Sequence, residues 1–426
     1  MQNNINTELY EKTTELPYLI DFARIPLQDI LRNRHFEDPL HMLLKSLAYS
    51  SLIRTYLSPL SGVLPSFERK ELFRALFSAI APASYQCIAF QNILSKLFNM
   101  DISAFIEDFD AAYDDICGKL RHSNLGTNGI LNSLNIHSMH IITDISEDTR
   151  PFTLINSDEL LHFPVAPTAD LSKLCNINFS SFSNALKSIS ASVNRPITSF
   201  DELIKAIEER IAVFYSMACK SVYIEPDYFP ASKINLENAD GVFKSVANGT
   251  KVSRKISAGY KAAFIFSVAR ICAKHNILLS IKPPCSDEPI LASIKRIVDR
   301  LVKTSSMPRL MIISNSFQQY QGLIKLIAAS FTNNGKPAIA VRPVAGTVEP
   351  NTSSYMLSRL NLLPHSLLSI TEHGSITDMF YLPYARKEML NSLYELYNKG
   401  EIDKNNLLIL AENILHNNIV EQYFPT

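Results

Sequence analysis

Charged and polar residues follow several short apolar runs of this sequence, at the points where buried strands would end. Carboxylates at such points could transfer protons, and lysine or arginine could bind an anionic group of a ligand. The residues concerned are Asp21, Asp144, Asp170, Glu225, Asp227, Lys282, Asn315, Arg342 and Glu372. Because loops begin where strands end and are usually polar, any one of these residues could equally be an ordinary loop residue.

The runs that carry these residues are short, β-branched and mostly separated by stretches with helical periodicity. We predict strands at 17–22, 138–144, 163–167, 220–227, 276–282, 309–315, 337–342 and 367–372. Apolar residues recur every three or four positions, as a helix with one buried face requires, at 199–218, 258–275, 290–304 and 317–331. Ser199, which is followed by acidic residues, is the expected N-cap of the first of these helices.

Alternating strands and helices predict a parallel sheet, and eight such strands predict an α/β fold of the (β/α)8 TIM-barrel type. A doubly wound sheet shows the same alternation and is the alternative. We divide the chain into 1–26 (an N-terminal segment and strand 1), 27–135 (a helical insertion over the barrel mouth) and 136–426 (the rest of the barrel, with two extra C-terminal helices). The carboxyl ends of barrel strands form the active-site face, which would bring the polar residues together.

Charge and composition exclude several classes of protein. The 41 basic and 41 acidic side chains cancel, which removes the electrostatic reason to expect nucleic acid or an anionic membrane as a partner. The chain is 46% hydrophobic but contains no uncharged apolar run long enough for a membrane span. Its 12 glycines form no dinucleotide or P-loop motif, and its six scattered cysteines are typical of reduced thiols, so we expect a cytoplasmic protein.

Several segments resemble the uronate isomerase family of the amidohydrolase superfamily, whose members isomerise D-glucuronate and D-galacturonate to ketoses. SLLSITEHGSITDMFYLPYARKEMLNSLYELYNKGEI resembles the family's eighth strand with the following turn and helix, and NLLILAENILHNNIVEQYF resembles its final helix. FPVAPTADLSK and MACKSVYIE resemble the third and fourth strands. The resemblance implies a barrel that binds a sugar acid. We also expect a homo-oligomer, for which the apolar helices of the insertion offer an interface, with ordinary core packing as the alternative.

The residues that carry the family's reaction are largely replaced here. Family members hold a divalent metal such as zinc with Asp-x-His-x-His in the first strand, and residues 21–25 read Asp-Phe-Ala-Arg-Ile. Alanine and isoleucine cannot donate a lone pair to a metal, so we expect neither a metal nor another cofactor. The family's eighth-strand Asp falls on Glu372, its third-strand acid on Asp170 and its fifth-strand His on Lys282, and Tyr49 matches a family tyrosine near the substrate.

These matches leave a short set of candidate site residues. Asp170, Glu372 and Tyr49 are the candidates for proton transfer, and Lys282, Arg342 and Asp21 line the expected substrate site. Lys282 could replace the cation and neutralise Glu372 and Asp21. None of the ten histidines forms an H-x-H pair, and we expect them to be surface or capping residues.

Three functions are compatible with this set. The first is a uronate isomerase-like enzyme, which needs a base near C2, an electrophile at the carbonyl and a cation for the carboxylate. The alternative is a non-catalytic sugar-acid-binding or structural pseudoenzyme on the same barrel. A third reading makes Lys282 a Schiff-base nucleophile toward a sugar carbonyl.

Overall fold

The computed structural model of the chain describes residues 2–45, 66–78, 85–230, 234–284, 290–314, 323, 339–343 and 376–424. Seven strands in this part form one entirely parallel sheet whose strand order follows the chain. They are Tyr18–Ala23 (β1), Ile136–Asp144 (β2), Val165–Asp170 (β3), Ser221–Ile224 (β4), Leu278–Ile281 (β5), Leu310–Ser314 (β6) and Ile339–Pro343 (β7). Each overlaps a predicted run, so the parallel α/β sheet is confirmed. The predicted strand at 367–372 lies outside the described residues.

The sheet is curled, with one face turned inward. β1 and β4 lie three positions apart, which in a flat sheet would be about 14 Å. The rings of Phe22 in β1 and Tyr223 in β4 nevertheless have centroids 5.3 Å apart. Side chains from β1, β4, β5, β6, β7 and the C-terminal helix meet in one buried group, which we call the interior cluster: Leu19, Phe22, Tyr223, Leu278, Met311, Ile313, Ala340, Ile419 and Tyr423.

Before β2 the chain is mostly helical. The first helix, Gln2–Thr14 (α1), precedes β1. The region assigned to the insertion contains Leu27–Leu31 (α2), Pro39–Lys45 (α3), Ser66–Ser78 (α4), Tyr85–Phe98 (α5), Ile102–Glu107 (α6), Phe109–Lys119 (α7) and Thr127–Asn132 (α8). Phe73, Phe90 and Phe105 of these helices pack in one buried cluster with the outward side chains of β1 and β2.

Further helices lie between and after the later strands; most of them cover the outer face of the sheet, whereas Ile419 and Tyr423 of the last one enter the interior cluster. These helices are Arg150–Ser157 (α9), Ser172–Cys175 (α10), Ser181–Ser192 (α11), Phe200–Ser216 (α12), Leu236–Ala247 (α13), Arg254–Lys274 (α14), Ile290–Lys303 (α15), Ile376–Met379 (α16), Leu382–Asn398 (α17), Lys404–Glu412 (α18) and Asn418–Tyr423 (α19). Ser199 caps α12 as predicted, because its side-chain oxygen accepts a hydrogen bond from the Glu202 amide at 3.2 Å. The predicted helix at 317–331 lies outside the described residues.

Helix α14 is long and apolar enough to cross a membrane by length and composition alone. Within the fold, however, 78% of its apolar window is buried, and side chains such as Phe264 and Val268 pack in the outer-face core. Helix α14 is therefore packed as a core helix of the fold.

Candidate functional site

The first strand turns irregularly at the residues that resemble the family's metal motif. Phe22 has φ 58°, a left-handed conformation that is strained for a bulky side chain, and the pairing with β2 shifts between Ile20 and Ala23. The shift lets Asp21 and Phe22 both face inward. Ala23 and Ile25 instead pack in the outer cluster with the insertion helices, so the side chains presented to the mouth are Phe22 and Arg24.

Arg24 and Lys282 meet at the carboxyl ends of the strands around Glu225. The Arg24 guanidinium lies 3.4 Å from Glu225 Oε2, and the Lys282 ammonium lies 3.5 Å from Oε1. The Tyr223 hydroxyl donates to Glu225 Oε2 at 2.9 Å. Two cations therefore contact one half-exposed carboxylate. Lys282, the predicted Schiff-base nucleophile, is thus held in an ion pair with Glu225.

Glu225 is held in place by a buried lysine that sequence reasoning did not single out. Lys261 of α14 is fully buried, forms an ion pair with Asp227 and donates to Asn176 Oδ1 at 3.3 Å. Asn176 in turn donates to the Glu225 carbonyl oxygen at 2.9 Å and accepts from the Asp227 amide. Burial lowers the pKa of Lys261 to about 8. The sequence feature that could have predicted a buried lysine is its position within the apolar run AGYKAAFIF.

Two aspartates end β2 and β3 in matching turns, but their pKa values are shifted in opposite directions. Asp144 and Asp170 are register partners, and each accepts hydrogen bonds from the amide and hydroxyl of the serine two residues later. Burial raises the pKa of Asp170. Burial opposes the shift at Asp144, but hydrogen bonds from Ser146 and Lys173 outweigh it and lower the pKa of that carboxyl. The role of Asp170 in proton transfer stays a prediction.

The other predicted site residues fall in different places. Asp21 is fully buried in the sheet interior, below the mouth, where the Tyr423 hydroxyl donates to its Oδ2 at 3.3 Å. Arg342 lies in β7, paired in register with Ile313. Tyr49 and Glu372 lie outside the described residues. Lys282 contacts Glu225, and its predicted pairing with Glu372 and Asp21 stays a prediction, since Glu372 is not among the described residues.

The described residues do not fit a divalent metal. Within the ranges that the structure covers, no three His, Cys, Asp or Glu side chains lie close enough together to hold a metal ion. At the end of β1 the mouth receives a phenyl ring and a guanidinium, and neither can donate a lone pair to a metal. The guanidinium of Arg24 supplies positive charge there instead.

Comparison with known proteins relates the chain to one family. The uronate isomerase of Clostridium perfringens is 20% identical over 346 residues, which are 72% of each chain. The crystal structure of uronate isomerase from Thermotoga maritima superposes with a TM-score of 0.84 at 12% identity, covering 99% of this chain and 97% of that one. Glucuronate isomerase from Caulobacter crescentus gives 0.83 at 13% identity, covering 99% and 94%. These structural matches establish a shared fold.

The sequence model of the glucuronate isomerase family matches residues 1–282, which include β1 through β5 and every described strand-end residue of the mouth up to Lys282. The match ends before the C-terminal segments on which much of the resemblance rested. It covers well over half of the chain, and the chain therefore belongs to the glucuronate isomerase family.

Proposed function

We propose that this protein binds a sugar acid at the carboxyl ends of its strands without the family's metal-dependent isomerisation. The observation that carries the proposal is the position of Arg24, whose guanidinium faces Glu225 at the strand end where the family's motif holds a metal. A guanidinium beside an ammonium is suited to a carboxylate, because Arg forms two parallel hydrogen bonds with it.

The chemistry of the mouth supports binding more than turnover. Asp144, Asp170 and Glu225 offer oxygen acceptors for sugar hydroxyls, and Asp170 has the raised pKa of a proton-transfer group. Isomerisation also needs an electrophile at the carbonyl, and a divalent metal supplies more charge there than a guanidinium does. We infer that affinity for the sugar acid persists while the isomerisation is lost.

We further propose that the curled sheet is a closed (β/α)8 barrel, with residues 367–372 as the eighth strand. The likeness to uronate isomerase structures over 99% of this chain supports closure, as does the contact between β1 and β4 inside the sheet. Closure would place Glu372 between the ends of β7 and β1, near Arg24 and Arg342. An active isomerase that uses Glu372 and Tyr49 is the competing function, favoured by the family match.

The test combines metal analysis, turnover and binding on the full chain. We expect the purified protein to contain no stoichiometric metal and to leave D-glucuronate unconverted with or without added zinc or manganese. Calorimetry should show D-glucuronate binding that Lys282→Met weakens about tenfold, since a charged hydrogen bond is lost.

The matched control is Lys303→Met, which removes an exposed ammonium at the end of α15 and should leave D-glucuronate affinity unchanged. A stoichiometric metal with metal-dependent conversion would establish the isomerase instead. If the protein bound no sugar acid, the proposed function would be wrong and the structural pseudoenzyme would be the remaining alternative.

A further inference from the structure

A separate pocket lies beside the mouth, between the end of β1 and the insertion. Its volume is about 130 Å³, several times what one water molecule needs. Arg24 lines this pocket as well as the mouth. The other polar side chains of its wall are Asp29, Arg34, His35, His41 and Thr127.

The wall of the pocket is rich in groups that bind anions. Arg24 and Arg34 line it together with His35 and His41. Asp29, its acidic side chain among the described residues, lies 3.4 Å from Arg34 and neutralises one of the cations. His35 Nδ1 lies 2.9 Å from the Leu120 carbonyl oxygen, which can only accept, so that nitrogen carries the proton. The ring thereby has a fixed orientation, and in its neutral form the other nitrogen, Nε2, is an acceptor, so His35 shapes the wall without donating to an anion.

The turn that carries Arg34 and His35 is rigidly attached to α8. The Thr127 amide and hydroxyl both donate to the Arg34 carbonyl oxygen, at 2.9 and 2.8 Å. Asn128 donates from its amide to Asn33 Oδ1 and from its side chain to the Ile30 carbonyl oxygen, both at 2.9 Å. The backbone that carries Arg34 and His35 is therefore fixed before any ligand arrives, which lowers the entropic cost of binding.

We propose that this pocket binds the anionic group of a sugar, a carboxylate or a phosphate, through Arg34 and Arg24. This arrangement refines the site proposed above: Arg24 shifts from its exposed contact with Glu225, and Lys282 donates to the sugar hydroxyls, which extend toward the mouth, instead of to the carboxylate. This inference rests on the proposed function for the identity of the ligand, but the pocket's affinity for anions stands independently of it.

The test compares substitutions on one turn by calorimetry, with D-glucuronate, inorganic phosphate and neutral D-glucose as probes. Arg34→Gln should weaken the binding of the anionic probes at least about tenfold, because a charged hydrogen bond is lost. Arg32→Gln makes the same change of charge at an exposed residue outside the pocket and should leave affinity unchanged. Asp29→Asn removes the competing carboxylate and should tighten binding, a gain that misfolding could not produce.

The outcomes separate the inference from the proposed function. Equal D-glucuronate affinity in Arg34→Gln and wild type would overturn the anion pocket while the mouth remained a sugar-acid site. Phosphate binding that depends on Arg34, without D-glucuronate binding, would support the pocket and overturn the proposed sugar-acid function. Failure of wild type to bind either anion, or D-glucose binding as tight as D-glucuronate binding, would overturn the pocket.

Discussion

At the scale of single residues, His140 is an unusual side chain for the interior of a sheet. It is 1% exposed, its ring centroid lies 4.4 Å from that of Tyr423, and neither ring nitrogen has a hydrogen-bond partner among the described residues. Burial lowers its pKa to about 3. The prediction that the histidines are surface or capping residues is wrong here, because β2 turns this position inward.

His140 makes stability depend on pH in a definite direction. An unfolded histidine has a pKa of about 6.5, so between roughly pH 6.5 and 3 the unfolded chain binds one more proton than the folded one. Stability from this residue is therefore complete above pH 6.5 and is lost as pH falls. From pH 7 to 5, urea unfolding of wild type should lose about 2 kcal/mol more than that of His140→Phe.

The control for this measurement is His162→Phe, which changes an exposed imidazole and should keep the wild-type pH dependence. Equal losses in wild type and His140→Phe would mean that His140 does not titrate as its burial requires.

At the scale of elements, hydrophobic periodicity was sufficient to predict where the strands lie. One local irregularity, in β1, prevented a correct prediction of which side chains reach the site. The seven described strands overlap predicted runs because strand patterning depends on neighbouring residues alone. The bulge at Phe22 changes which side chains of residues 21–25 face the mouth, and alternation cannot reveal a left-handed residue in advance. Glu225 was recognised as a strand-end residue, but its contacts with Arg24 and Lys282 depend on curling of the sheet.

Helix α8 makes a close backbone contact that requires glycine. A Cβ atom at Gly129 would overlap the backbone carbonyl group of Asn124, whereas Gly241 in α13 has open space around it. We expect Gly129→Ala to destabilise the protein by about 1–3 kcal/mol through overpacking. Gly241→Ala should stabilise it by about 0.5–1 kcal/mol, since alanine favours a helix interior. Urea unfolding midpoints would measure both, and shifts in the same direction would contradict the packing at Gly129.

At the scale of the whole molecule, the two ends of the chain close the fold together. The α1 region meets α17 and α18, where Tyr10 donates to Asn391 at 2.8 Å and Glu8 pairs with Lys404 at 2.6 Å. From α19, Tyr423 enters the interior cluster and reaches Asp21 of β1. Contacts between residues so far apart in the sequence cannot be predicted from local patterns. Through these contacts the C-terminal helices pack against α1 and β1.

Arg386 joins the two ends most directly. Arg386 is 7% exposed, and its guanidinium donates to the carbonyl oxygens of Thr13 and Leu16 at 2.9 and 2.7 Å and lies 4.0 Å from the Tyr18 ring centroid. Arg386→Met would leave both carbonyl groups without this donor, and we expect it to lower the free energy of unfolding by about 3 kcal/mol. Lys387→Met, an exposed neighbour, should change it by less than about 0.5 kcal/mol.

A lysine at the same position distinguishes charge from geometry. Arg386→Lys keeps the positive charge but lacks the planar fork that serves two carbonyl groups, so we expect it to recover only part of the loss. Guanidinium chloride unfolding of the three variants measures the order directly. If Arg386→Met were as stable as Lys387→Met, the hydrogen bonds of Arg386 would contribute nothing measurable to joining the two ends of the chain, and the remaining contacts, such as those of Tyr10 and Glu8, would have to hold them together.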